Sequence, residues 1–120
     1  MSEERVSHFN AITELPELWN KNIEQIDLSL REVSFFNKDH ALFVQGFIER
    51  QIKYHEWDGR LRKTSDRLQF AIAMGQTVES SYLLDAQLTG EYYIFQPEQY
   101  GKNRAILDQG FILTVRRLAA

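Results

Sequence analysis

Apolar residues fall on every second position through several stretches of the chain, most regularly in Ala41–Gly59, ALFVQGFIERQIKYHEWDG. Leu42, Val44, Gly46, Ile48, Ile52 and Tyr54 share one parity there, the pattern of a strand with one buried face. Val44, Ile48 and Ile52 also recur at helical spacing. Gly46 in mid-segment would cost a helix about 1 kcal/mol, and the stretch is rich in β-branched and aromatic residues, so a strand is predicted. Arg50 is the one charge on the apolar parity, which places it at a sheet margin. Leu42 to His55 would span roughly 45 Å when extended, so a bend or bulge is expected, at Gly46. Asp58-Gly59 predicts a type I′ turn, with positive φ at both centres, that returns the chain from Leu61 as a hairpin.

The same reading extends in both directions. Ile23–Phe36 is a predicted strand whose apolar set changes parity, from Ile26, Leu28 and Leu30 to Val33 and Phe35, which marks a bulge near Arg31-Glu32. After the turn, Leu61–Thr64 pairs back, Ser65-Asp66-Arg67 is a possible kink, and Leu68, Phe70, Ile72 and Met74 alternate again. Ser80–Phe95 alternates strictly, with Tyr82, Leu84, Ala86, Leu88, Gly90, Tyr92 and Ile94 on one face. Gln96–Arg104 is a loop by composition. Ala105–Leu118 is the final strand, with a second bulge expected at Gly110.

The first 22 residues read differently. Val6, Phe9, Ile12 and Leu15 lie three apart and Pro16 follows, which suits an N-terminal arm or short helix. As an arm, residues 1–22 would pack Leu15, Leu18 and Trp19 onto a sheet edge. Residues 23–120 form a single β domain. Five or six antiparallel strands must close their apolar faces on one another, so the expected class is all-β, a sandwich-like fold or partly open barrel.

Composition narrows the function classes. The 120 residues suit one domain with a core of its own. Fourteen basic and seventeen acidic residues leave a net charge of −3, with no basic stripe, which argues against nucleic acid as a partner. No apolar run reaches membrane-spanning length. The opening MSEERVSHFN lacks the apolar region of a secretory signal, so synthesis in the cytoplasm is expected. There is no cysteine. No phosphate-binding loop or nucleophile elbow occurs, and His8, His40 and His55 lack metal-ligand spacing. Asp39-His40 and His55 could meet across a hairpin around a metal, but turn and strand-end histidines are the simpler reading, and no metal or cofactor is expected. Asp85 and Glu91 lie on the polar parity and are expected to be solvated. The expectation is therefore a protein that is not an enzyme.

Aromatic side chains are the remaining candidates. Tyr93 and Phe95 lie opposite the apolar parity of Ser80–Phe95, and Trp57 and Tyr100 lie in turns. Together they form a candidate interface, or else a second core layer. Phe43 and Phe47 lie on the outer parity of the central stretch.

The runs ELPELWNKNIEQIDLSL, ALFVQGFIERQIKYHEWDG, LQFAIAM and FILTVRRL resemble the SPOCS domain, a spore-coat-associated family of endospore-forming Firmicutes. Its core, V-x-G-x-hydrophobic-x-x-x-I-x-Y followed by a turn, falls here on Val44, Gly46, Ile48, Ile52, Tyr54 and Asp58-Gly59. The resemblance covers roughly Leu15 to Leu118. It implies a structural or adaptor part in coat or exosporium assembly that works through protein–protein association with other coat proteins or itself. It implies residence in the mother cell and at the spore surface. Some members carry a peptidoglycan-binding LysM module, which this chain lacks. Two other classes fit the same residues, a small carbohydrate-binding module using Trp57 or Tyr100 and a self-assembling virion-type subunit.

Overall fold

The structure, a computed structural model, describes residues 4–79, 82–98 and 104–118. Six strands run in chain order: β1 (Glu4–Leu15), β2 (Asn22–Lys38), β3 (Ala41–His55), β4 (Leu61–Gln76), β5 (Leu84–Gln96) and β6 (Ala105–Arg117). They form two three-stranded antiparallel sheets, ordered β1-β6-β5 and β2-β3-β4. The sheets stack as a sandwich and do not close into a barrel. No helix among the described residues is long and apolar enough to cross a membrane. The molecule measures 54 × 27 × 19 Å, and its radius of gyration is 17.3 Å. A compact domain of this length would have about 14 Å, so the sandwich is drawn out along its strands.

The central strands supply most of the core. In β3 the buried parity is the one read from the sequence, Leu42 through Tyr54. In β6 it is Ala105, Leu107, Gln109, Phe111, Leu113 and Val115. The apolar side chains gather in two clusters. The larger centres on Leu42, Val44, Ile48, Phe70, Met74, Phe111, Leu113 and Val115. The smaller centres on Leu15, Leu18, Ile52, Tyr54, Ala105 and Leu107.

Arg50 sits between the clusters and is 1 % exposed, not at a sheet margin. Its Nε and one terminal nitrogen donate to the two Asp66 carboxylate oxygens at 2.8 and 2.5 Å. Its other donors reach Gln109 Oε1 at 3.0 Å and Thr13 Oγ1 at 2.9 Å. Gln109 in turn donates to Glu91 at 2.9 Å. The network thus ties β3 and β4 to β1, β5 and β6. Asp66 belongs to the segment expected to kink; instead β4 pairs without a break from Leu61 past Arg67, and Asp66 stands directly opposite Arg50.

The first strand is the largest departure from expectation. Residues 4–15 are neither arm nor helix: β1 pairs with β6 at twelve consecutive positions. Leu15 and Leu18 are buried as expected, while Trp19 is 39 % exposed. A short 3-10 turn, Pro16–Leu18, carries the chain to the other sheet.

Irregularities interrupt the register of both sheets. β2 has two, between Ile23 and Gln25 and between Arg31 and Ser34; the second, with Glu32 at φ 54 and opposite Gly46, is the one the parity change predicts. No bulge occurs at Gly46 itself. A Cβ there would meet the Arg31 carbonyl oxygen at 3.0 Å, so glycine makes room for the bulged partner. β6 is regular at Gly110, which pairs with Tyr92; the irregularity lies in β5 between Leu88 and Gly90, facing Leu113 and Ile112.

The turns exchange roles. Asp39 and His40, at φ 51 and 64, form the two-residue loop between β2 and β3 with the backbone of a type I′ turn. In the loop from Glu56 to Arg60 only Gly59 has positive φ, at 86. Gly59 N donates to Glu56 O at 2.9 Å and Glu56 N to Arg60 O at 2.8 Å, the geometry of a type I turn closed by a left-handed glycine. The Asp58 carboxylate accepts from the Arg60 backbone N–H at 3.0 Å and from its guanidinium at 2.7 Å, and these bonds hold its pKa below the ordinary value.

Candidate functional site

The outer faces of the two sheets differ in kind. On the β2-β3-β4 face, Glu49 pairs with Arg31 at 3.1 Å and with Arg67 at 3.2 Å. Lys53 lies 3.8 Å from Asp27, and Arg67 stacks on Phe47 at 4.5 Å. Phe36 and Phe43 stack at one end. Long charged side chains cover the aliphatic surface, so this face is solvated.

The β1-β6-β5 face carries an apolar patch. Register aligns Asn10, Gly110 and Tyr92 in one row across the strands, and Ile12, Asp108 and Ile94 in the next. A Cβ on Gly110 would collide with the Tyr92 ring, so glycine lets that ring lie flat across β6. Ile12 is 72 % exposed, Ile94 61 % and Tyr92 54 %. The polar groups among them are already engaged. Tyr92 Oη is 3.5 Å from Asn10 Oδ1, and Asn10 Nδ2 donates to Asp108 at 3.1 Å. At the margins Arg104 pairs with Glu14 and Arg116 with Asp85.

The bulge in β5 explains why this patch and the sequence candidates differ. It inverts the parity, so Leu84, Ala86 and Leu88 face the core on one side of it, and Glu91, Tyr93 and Phe95 on the other. Tyr92 and Ile94 are thereby turned outward. Phe95 is half-buried against the Leu15, Leu18 and Ile52 cluster, so it is core and not an exposed platform. Tyr93 aligns with buried Gln109 and is 43 % exposed at the sheet edge. Glu91 is exposed, as expected, and accepts a hydrogen bond from Gln109, whereas Asp85 is half-buried beside Arg116. Trp57 is 92 % exposed at the tip of the β3–β4 loop. Tyr100 lies outside the described residues.

His40 and His55 occupy opposite ends of β3, so the two cannot share a metal. Among the described residues no three acidic or histidine side chains converge as metal ligands. The Arg50 network saturates its own members, and no buried side-chain polar atom among the described residues lacks a partner. Its arrangement is that of a structural clasp. Ile12, Tyr92 and Ile94 were missed as candidates because alternation assigned Tyr92 and Ile94 to the core. Gly110, a glycine in the middle of an otherwise bulky strand, was the available signal that a ring crosses there.

No protein-family model matches this chain, and no curated protein or solved structure matches it significantly.

Proposed function

We propose that this is a non-enzymatic assembly module that associates through the outer face of β1-β6-β5. The observation that carries the reading is the exposed Ile12–Tyr92–Ile94 patch, set against the charge-covered face on the opposite sheet. Exposed apolar surface of this kind marks contact sites. The polar groups within the patch bond to one another, so a partner needs to bring apolar surface and no compensating charge. The same face of a second copy meets that requirement, giving an isologous pair. The setting we propose, spore coat or exosporium assembly, is supported by the sequence resemblance alone.

Sedimentation of the wild type over a concentration series tests the association. It should move from monomer toward dimer, and Ile12→Ser with Ile94→Ser should keep it monomeric with an unchanged circular dichroism spectrum. A wild type that stays monomeric at every concentration sinks the self-association. Recovery of coat proteins by the tagged chain from sporulating cells tests the setting, and absence of any coat protein argues against it.

Trp57 favours a second reading as a carbohydrate-binding module. Its ring is almost wholly exposed on a loop held by backbone hydrogen bonds and by Lys21–Glu56. Saturable glycan binding that is lost in Trp57→Ala would replace the first reading.

A further inference from the structure

A cavity of about 260 Å³ opens where β4 hands over to β5. Its floor is Leu42, Leu84 and Val115, the end of the larger apolar cluster. Arg117, the last residue of β6, forms one wall. It is half-buried, and its guanidinium stacks over the Tyr82 ring at 3.6 Å.

Arg117 stands apart from the other arginines. Arg31, Arg50, Arg60, Arg62, Arg67, Arg104 and Arg116 each have a carboxylate partner. Arg5, also in the lining, donates to the carbonyl oxygens of Met74 and Gln76. Among the described residues Arg117 has only the ring, with no acceptor on its N–H groups. Withdrawing a guanidinium from water without an anion is unfavourable. Stacking on Tyr82 leaves its hydrogen-bonding edge open, and that planar fork fits a carboxylate with two parallel bonds. Among the described residues Glu79 is the one acid in the lining, against Arg5, Arg116 and Arg117.

We propose that this cavity binds a small amphiphilic carboxylate, its chain on Leu42, Leu84 and Val115 and its head on Arg117. The volume lies just under the roughly 300–1,000 Å³ that holds drug-sized ligands, which suits a short unbranched chain. The site is separate from the association face, so the two readings stand or fall independently.

Calorimetric titration of the full chain with octanoate, octanol and acetate tests it. Octanoate should bind saturably, and octanol and acetate much more weakly. Arg117→Gln should weaken octanoate by about tenfold or more, the worth of one charged hydrogen-bonded contact. Arg117→Lys, which keeps the charge and removes the fork, should also weaken it. Arg62→Gln, at the opposite end of the sandwich, should leave it unchanged. The proposal is overturned if octanol binds as well as octanoate, if no saturable signal develops by about 10 mM, or if both Arg117 variants bind like the parent.

Discussion

At each end of the sandwich a connection crosses from one sheet to the other, and the two crossings treat the core differently. Between β1 and β2 the crossing is the turn Pro16–Leu18, which drives Leu18 fully into the core beside Leu15 and Ile52. Asn20 N donates to Pro97 O at 2.8 Å, Thr64 donates to Glu17 at 3.0 Å and Lys21 pairs with Glu56 at 3.3 Å. That end is sealed. Between β4 and β5 the connection offers Val78, only half-buried, which Asn37 grips through its backbone N–H and C=O. Arginines flank the remaining space and the cavity persists. One fully inserted leucine separates a closed end from an open one.

The largest effect should come from the layer that divides the ends. Arg50→Ala leaves Asp66 and the Gln109–Glu91 pair without their cation and should cost about 3–5 kcal/mol in denaturant unfolding. A loss below about 1 kcal/mol would show that water replaces the guanidinium and that the clasp is not what joins the ends. Next, the ends themselves should respond unequally. Leu18→Ala should cost about 2–5 kcal/mol, and Leu84→Ala, on the wall of the existing cavity, less than about 2. Equal losses would erase the distinction. The smallest effects lie in the two hairpin turns of the β2-β3-β4 sheet, one at each end. Gly59→Val should cost about 1–3 kcal/mol through its positive φ alone, since a Cβ there meets nothing within 4 Å. His40→Gly should instead stabilise by about 0.5–1 kcal/mol, because glycine adopts the left-handed backbone freely. Thermal melts that order these two variants the other way would reassign the turns.

Much of the fold was legible wherever a single face is buried. β3 and the last strand alternate cleanly because one side packs and the other meets water or polar neighbours. The β2 bulge near Arg31-Glu32 was legible because it shifts apolar residues from one parity to the other, while the shift at Ile23/Gln25 was not. β1 was not, because Val6 and Ile12 point outward while Phe9 and Leu15 point inward, and the mixture imitates a helical spacing. β5 misled for a related reason. Its bulge is flanked by residues of ordinary apolar pattern, so the unbroken alternation in sequence conceals an inversion in space. Arg50 was legible as the odd charge on an apolar face. Its burial was not, because its partners Asp66, Thr13, Gln109 and Glu91 are scattered among four other strands.

The pairing of β1 with β6 joins residue 4 to residue 116, nearly the full described chain. β2, β3 and β4 are a meander of adjacent hairpins, which can form on the microsecond scale. β1 has no such neighbour. During synthesis it emerges first and finds its pairing strand last, so its edge stays open while the rest of the chain is made. Folding of this sandwich should therefore be limited by closure of the β1-β6-β5 sheet, in the roughly millisecond-to-second range typical of non-local β topologies. The interval before closure is when the chain is most exposed to pairing with the wrong strand.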